Sequence, residues 1–258
     1  MKQVPERNSQ YKLNESSSWI QEQDLEYETN ECDLYALEEA LRLKERHGGE
    51  VVVLAAGPDR VVKTIKHGLA MGADRAIHLK LRDAEEGDAY VASILIARVL
   101  GNRSFDIVLT GVQSDDLGFA QTGSIIAHNL GWPHATIVVE IHLKEDLKSV
   151  QVKRELESGL YERLELPIPA VLTIQSGINQ LRYPTLKGIM QAKKKEITSL
   201  TPDNLGFRTD QLGWQGSKVV LHRLSFPEKK KKTVMLEGSE EDMARTLIER
   251  LQREAKVL

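Results

Sequence analysis

Cysteine is nearly absent from this sequence. Cys32 is the only one in 258 residues, which excludes an internal disulfide, a cysteine-rich zinc site and a CxxC redox pair. Long apolar runs are absent as well. The longest unbroken stretches, such as Val51-Val52-Val53-Leu54-Ala55-Ala56, fall far below the roughly 18–20 residues a membrane-spanning helix needs. The opening MKQVPERNSQYKLNESSSWIQEQ lacks the apolar centre of a secretory signal and is too acidic for a transit peptide. A cytoplasmic protein with no membrane span is therefore expected. The seven histidines, His47, His67, His78, His128, His134, His142 and His222, show no HxxxH or HxH spacing, so no metal site is expected. There is no GxSxG elbow or other local catalytic signature, and no catalytic residue is assigned. The absence points to a binding or carrier role.

Neither sign of charge dominates. Lys plus Arg make 35 and Asp plus Glu make 38, so 35 − 38 = −3, which is neither a nucleic-acid polycation nor an acidic tail. The balance conceals two poles. Residues 1–50 carry 6 basic against 12 acidic side chains, a net −6, and residues 186–235 carry 11 against 4, a net +7. The basic tracts are Lys193-Lys194-Lys195 and Lys229, Lys230, Lys231 and Lys232. They read as a partner-facing surface or a solvated face, and without interleaved aromatics they make no case for nucleic acid.

From Leu34 to about residue 175, strand-like and helix-like patterns alternate, the signature of an α/β protein with a mostly parallel sheet. Leu34, Leu37, Ala40 and Leu41 stand at helical spacing, with Asp33 placed to cap them and Glu38/Arg42 as an i,i+4 pair. The apolar run from Val51 to Ala56 reads as a strand. A helix with Val62, Ile65, Leu69 and Ala70 on one face follows and stops at Gly72. A strand at 76–79, a helix containing Val91, Ile94, Leu95 and Val99, and a strand at 105–109 come next. After Gly111 lie a loop and a helix with Ile125, Ile126 and Leu130. Segments 136–141, 150–156, 160–166 and 170–175 then alternate or run apolar without helices between them, which predicts an antiparallel extension of the sheet. Residues 176–235 show no sustained period and read as an extended arm packed on another chain. Met243, Thr246, Leu247 and Leu251 predict a terminal helix.

The most informative segment lies between a strand end and a helix start: Gly111, Val112, Gln113, Ser114, Asp115, Asp116, Leu117, Gly118, Phe119, Ala120, Gln121 and Thr122. Ligands of parallel sheets bind at the carboxyl ends of the strands, and a helix N-terminus offers free N–H groups to a phosphate. The glycines permit close backbone approach, while Ser114, Thr122, Gln113 and Gln121 supply donors. Asp115 and Asp116 would repel a phosphate, and are assigned to a ribose hydroxyl or to orienting the loop. The plain alternative is a generic loop before a capped helix, because neither GxGxxG nor a Walker A sequence is present. Two further segments should converge there. One is the turn Asn30, Glu31, Cys32 and Asp33, which turn formation and capping also explain; the other is Ala56 with Gly57-Pro58. Cys32 reads as a packed side chain, not a nucleophile.

These residues resemble the beta, or small, subunit of electron-transfer flavoproteins over nearly the whole chain. The matching segments include Leu37-Glu-Glu-Ala-Leu-Arg-Leu-Lys44, Leu69-Ala-Met-Gly-Ala-Asp-Arg75, Gly111 through Gly123, Val152-Lys-Arg-Glu-Leu-Glu157 with Gly159, Pro169-Ala-Val-Leu-Thr173, and Arg182-Tyr183 with Thr185-Leu186. Ser158 departs from the Gly or Asp usual at its position. Gly-Val-Gln-Ser together with Trp132-Pro133-His134-Ala135 looks most like the subtype serving trimethylamine dehydrogenase.

The resemblance implies a Rossmann-like, adenine nucleotide alpha hydrolase-like fold. It also implies a heterodimer with an alpha subunit that holds the redox-active FAD, and a structural AMP buried in this subunit. The implied AMP positions are residues 30–33, Ala56 and residues 111–122, the three segments already reached. Leu186 stands where the family anchors a recognition loop on dehydrogenases, with a quinone oxidoreductase as a typical electron acceptor. The implied domains are a nucleotide-binding unit at 1–175 and, at 176–258, a recognition loop, partner-binding arm and terminal helix. Family members open with a hydrophobic strand whose last residue corresponds to Met1. Its loss from inside a sheet would leave buried backbone groups unpaired at about 1–3 kcal/mol each, so the sequence reads as a start assigned too late or a damaged gene copy. The alternatives are an electron-bifurcating homologue with a second FAD in place of AMP, and a stand-alone adenine-nucleotide-binding regulator. A pyrophosphatase-type adenylating enzyme lacks support because its SGGxDS loop is missing.

Overall fold

A computed structural model describes residues 1–23, 25–82, 87–227 and 233–257. The chain divides into two compact units, Met1–His222 and Arg223–Leu258. The first opens with the short antiparallel pair β1 (Gln3–Pro5) and β2 (Tyr27–Thr29), then α1 (Glu31–His47). The β-branched run after Val51 forms β3 (Val52–Gly57), whose side chains alternate between half-buried and buried. The helix α2 (Val62–Met71) buries Ile65 and Leu69 completely and ends at Gly72, whose φ of +139° few other residues would adopt. Next come β4 (Arg75–Lys80), α3 (Ala89–Gly101), β5 (Ile107–Gly111) and α4 (Thr122–Leu130). The chain then runs through β6 (His134–Leu143), β7 (Ser149–Glu155), β8 (Tyr161–Pro167) and β9 (Ala170–Ile174). The unit finishes with α5 (Leu186–Ala192), β10 (Ile197–Leu200) and the single turn α6 (Gly213–Gly216).

The α/β expectation holds, with one sheet replaced by two. One is parallel, in the order β10-β4-β3. The other, β5-β9-β6-β7-β8, pairs β5, β9 and β6 in parallel and β6, β7 and β8 antiparallel. Thus β3 and β5 are edge strands. The first two residues reach both edges. The Met1 amino group donates to the Leu54 carbonyl of β3 at 2.6 Å, and the Lys2 N–H donates to Asp33 Oδ2 at 2.7 Å. The other oxygen of Asp33 accepts the N–H of Gly111, the last residue of β5, at 2.8 Å.

Asp33 is therefore not the cap of α1. The cap position belongs to Asn30, which makes no side-chain cap bond, and Asp33 lies inside the first turn. Helical spacing alone does not reveal that the helix starts three residues earlier. The compact unit also runs to His222 and does not stop near 175. Residues 197–200 pair in parallel with β4, Ile197 opposite Ala76, and α5 packs on α2, where a Cβ on Gly188 would collide with the Ala70 carbonyl. Four residues reading Ile-Thr-Ser-Leu are too short to show a period, which hides this strand from the sequence.

Lys195 is likewise no solvated charge. Its ammonium donates to the Leu69 and Ala73 carbonyls at 3.0 and 2.5 Å, satisfying the end of α2, while Lys193 and Lys194 are exposed. Lys229, Lys230, Lys231 and Lys232 lie outside the described residues.

In the second unit, α7 (Glu240–Arg250) is capped by Ser239, whose hydroxyl accepts the Asp242 N–H, and three acidic residues fill its first turn. None of its side chains is buried. Among the described residues no helix is long and apolar enough to cross a membrane.

Candidate nucleotide crevice

Residues 30–33 and 111–116 are more than 75 positions apart and are joined directly. Asn30, only 1% exposed, donates from Nδ2 to the Gln113 carbonyl and accepts the Asp115 N–H on Oδ1, both at 2.9 Å. The Glu31 N–H donates to Asp115 Oδ2 at 3.3 Å, and Asp33 holds Gly111 as described. The contact is close enough to require a glycine. A Cβ on Gly111 would lie 2.8 Å from the Cys32 Cβ and 2.9 Å from the Asp33 nitrogen. Cys32 is buried here, and burial, followed by the charges of Asp115 and Asp33, raises its thiol pKa. It is a packed thiol, not a poised thiolate.

The two cations at this crevice gave no signal in the sequence. Lys2 Nζ contacts Ser114 Oγ at 3.2 Å and Asp116 Oδ1 at 2.7 Å. Arg7 pairs with Glu31 at 2.7 Å and reaches Asp115 at 3.8 Å. Each of the two aspartates therefore lies beside a cation of the opening segment. Neither arginine nor lysine in an acidic opening segment stands out by spacing, so only the fold identifies them.

Beyond Asp116 the loop turns back on itself. The Gly118 N–H donates to the Ser114 carbonyl at 2.9 Å, and Gly118 and Ala120 take φ of +64° and +54°. The loop delivers the chain to α4, whose cap residue Gln121 makes no side-chain cap bond. The first N–H groups of α4 thus remain available as donors. The second residue of α4, Gly123, lets the helix start press against the sheet, since a Cβ there would collide with Thr173 and stand 2.8 Å from Thr110 Oγ1. Leu117 and Phe119 are exposed at the rim. Ala56 is not linked to the other segments by any hydrogen bond among the described residues. It pairs with Leu79 of β4, packs against the apolar cluster that contains that residue, and lies one residue before the end of β3.

Leu186 stands apart from this crevice, as the first residue of α5 and 83% exposed. Tyr183, Ile189 and Met190 are exposed beside it. The chain leading to it is pinned to α1 through Glu38, which is only 2% exposed and takes Arg42 Nε at 2.8 Å and Arg182 Nε at 2.7 Å. Arg182 also holds Glu45 at 2.6 Å. Burial alone would raise the Glu38 carboxyl, but the hydrogen bonds from Arg182 and Arg42 outweigh it and hold the pKa below the usual range. Among the described residues no group of three His, Cys, Asp or Glu side chains could hold a metal ion.

Residues 30–33 and the loop after β5 are thus joined by hydrogen bonds, with glycine-enforced close approaches at Gly111 and Gly123. The electron transfer flavoprotein domain matches residues 18–205. The chain is 37% identical to the electron transfer flavoprotein subunit beta of Methylophilus methylotrophus, over 96% of this chain and 95% of that one. Identity is 32% to the Bacillus subtilis subunit beta over 93% and 91% of the two chains, and 41% to the human one over 68% of each. With more than half of its length inside the domain and full-length relatives above 30% identity, this chain belongs to the electron transfer flavoprotein family, among its beta subunits.

Proposed function

We propose that this electron-carrier subunit binds one structural AMP in the crevice formed by residues 30–33, Ala56 and residues 111–122. It pairs with an alpha subunit that holds the redox-active FAD, and it docks dehydrogenases in the cytoplasm through Leu186. Electrons then pass through the alpha-subunit FAD to an acceptor such as a quinone oxidoreductase. The observation that carries the nucleotide reading is the start of α4, without a side-chain cap bond, at the end of a loop that Asn30 and Asp33 fix in place. A phosphate would accept the free N–H groups of α4 and the Thr122 and Ser114 hydroxyls. The positions where a Cβ would intrude, Gly111 and Gly123, let the end of β5 lie against α1 and the start of α4 lie against the sheet, which supports a site closed in from both sides.

The flavin supplies all redox chemistry, while this chain binds, orients and docks. Exposure of Tyr183, Leu186 and Met190 on a segment anchored by Arg182 supports the docking role. The pairing of Gly111-Val-Gln-Ser114 with Trp132-Pro133-His134-Ala135, together with the similarity to the Methylophilus protein, supports a partner of the trimethylamine dehydrogenase type.

Co-expression with the alpha subunit, acid extraction and chromatography of the released nucleotides test the reading. One AMP and one FAD per heterodimer are expected. Two FAD per heterodimer would replace it with the bifurcating form, and a chain that copurifies with no flavin-containing partner would favour a stand-alone regulator.

A further inference from the structure

Asp88 carries more hydrogen bonds than a helix cap requires. Its Oδ1 accepts the N–H groups of Tyr90 and Val91 at 3.0 and 3.1 Å and so starts α3. Its Oδ2 accepts two N–H groups from a distant part of the chain, Lys218 at 2.7 Å and Val219 at 2.9 Å. The Asp88 N–H in turn donates to Ser217 Oγ at 3.1 Å, and that hydroxyl donates to the Gly213 carbonyl at 2.8 Å. The approach is tight: a Cβ on Gly87 would stand 2.8 Å from the Gly213 carbonyl oxygen and 2.9 Å from Ser217 Oγ. The Lys218 ammonium lies 5.1 Å from the centre of the Tyr90 ring. Asp88 itself is only 9% exposed, so its four accepted bonds are shielded from competing water.

Among the described residues this clasp closely follows the last buried one, Gly213. No residue after Gly213 is buried among the described residues, and Val220, directly beyond the clasp, is 84% exposed. Phe226, Val234 and Met235 follow, all exposed. A segment that buries none of its apolar side chains binds a partner at the cost of its own ordering, and that cost falls when its point of departure is fixed in advance.

We propose that Asp88 is a positioning residue for the heterodimer: its Oδ2 fixes where the C-terminal segment leaves the α/β unit, separately from the cap that its Oδ1 provides. The proposal rests on the reading that this segment packs on the alpha subunit. Asparagine distinguishes the two roles, because it keeps an oxygen for the cap but turns an NH₂ donor toward the Lys218 and Val219 N–H groups.

The test compares wild type, Asp88→Asn and Asp88→Ala chains, each as purified full-length subunit and with the alpha subunit. Asp88→Asn is expected to keep the melting temperature and the amide-exchange protection of α3. It should lose protection at Lys218 and Val219 and weaken affinity for the alpha subunit on the order of tenfold. Asp88→Ala should lose both sets of protection and melt lower. Unchanged affinity in Asp88→Asn, beside a wild type that pairs normally, overturns the proposal alone. So does a weakened affinity that comes only with loss of α3 protection, which would make Asp88 a stability residue. A wild type that does not pair with the alpha subunit overturns the pairing reading, and the proposal with it.

Discussion

Met1–His222 has a core of large apolar side chains, with Ile65, Leu69, Ile77, Leu79, Leu95 and Leu172 completely buried. In Arg223–Leu258 the same residue types, Phe226, Met235, Leu247, Ile248 and Val257, are exposed. Full burial of such a side chain contributes about 1.5–3 kcal/mol, against about 1–2 kcal/mol lost for each backbone residue ordered. The first unit has what it needs to offset that entropy within itself. Among its described residues the second unit buries none of its apolar side chains, and in the proposed heterodimer they would be free to pack on the alpha subunit.

The sharpest way to break this contrast is to remove one large apolar side chain from each unit, buried Leu69 from the first and exposed Leu247 from the second. Leu69→Ala should cost about 2–5 kcal/mol in chemical denaturation of the chain, whereas Leu247→Ala should fall within about 0.5 kcal/mol of wild type. Equal losses would contradict the comparison. Gly111→Ala should cost about 1–3 kcal/mol, since its Cβ overpacks Cys32 and Asp33. It should also lower the AMP retained by the complex, read as nucleotide per protein after gel filtration. Leu247→Asp should leave denaturation of the isolated chain unchanged and weaken pairing with the alpha subunit by about tenfold in titration, or about 1.4 kcal/mol.

The smallest effect is one of pH. The Glu38 carboxyl is held below its ordinary 4.5 in the folded chain. The stability it contributes is therefore fully present above pH 4.5 and lost as pH falls through the lowered folded value. Glu38→Gln should flatten that acid limb in a series of denaturation curves, and an unaltered limb would place the acid sensitivity elsewhere.

Much of the first unit was legible because its helices and strands are long enough to show their period. The spacing of Ile65 and Leu69, and the stop at Gly72, read directly onto α2. The meeting of residues 30–33 with the loop after β5 followed from the rule that strand ends converge. What stayed hidden depends on contacts between distant residues. β10 has only four residues and is defined by its pairing with β4. The capping role of Lys195 needs α2 beside it. The part played by Lys2 and Arg7 needs the loop carboxylates more than 100 positions away. Ala56 was named for the crevice on position and resemblance, and among the described residues no hydrogen bond ties it to residues 30–33 or 111–122.

Residues 30–33 and the loop leading into α4 are proposed to form one nucleotide site. The most direct test is amide hydrogen exchange on the heterodimer stripped of nucleotide, followed while AMP is titrated in. Protection is expected to rise together at residues 30–33 and 111–124 with a single saturating dependence on AMP. AMP that binds while those two segments exchange as before, or no binding of AMP at all, would contradict it.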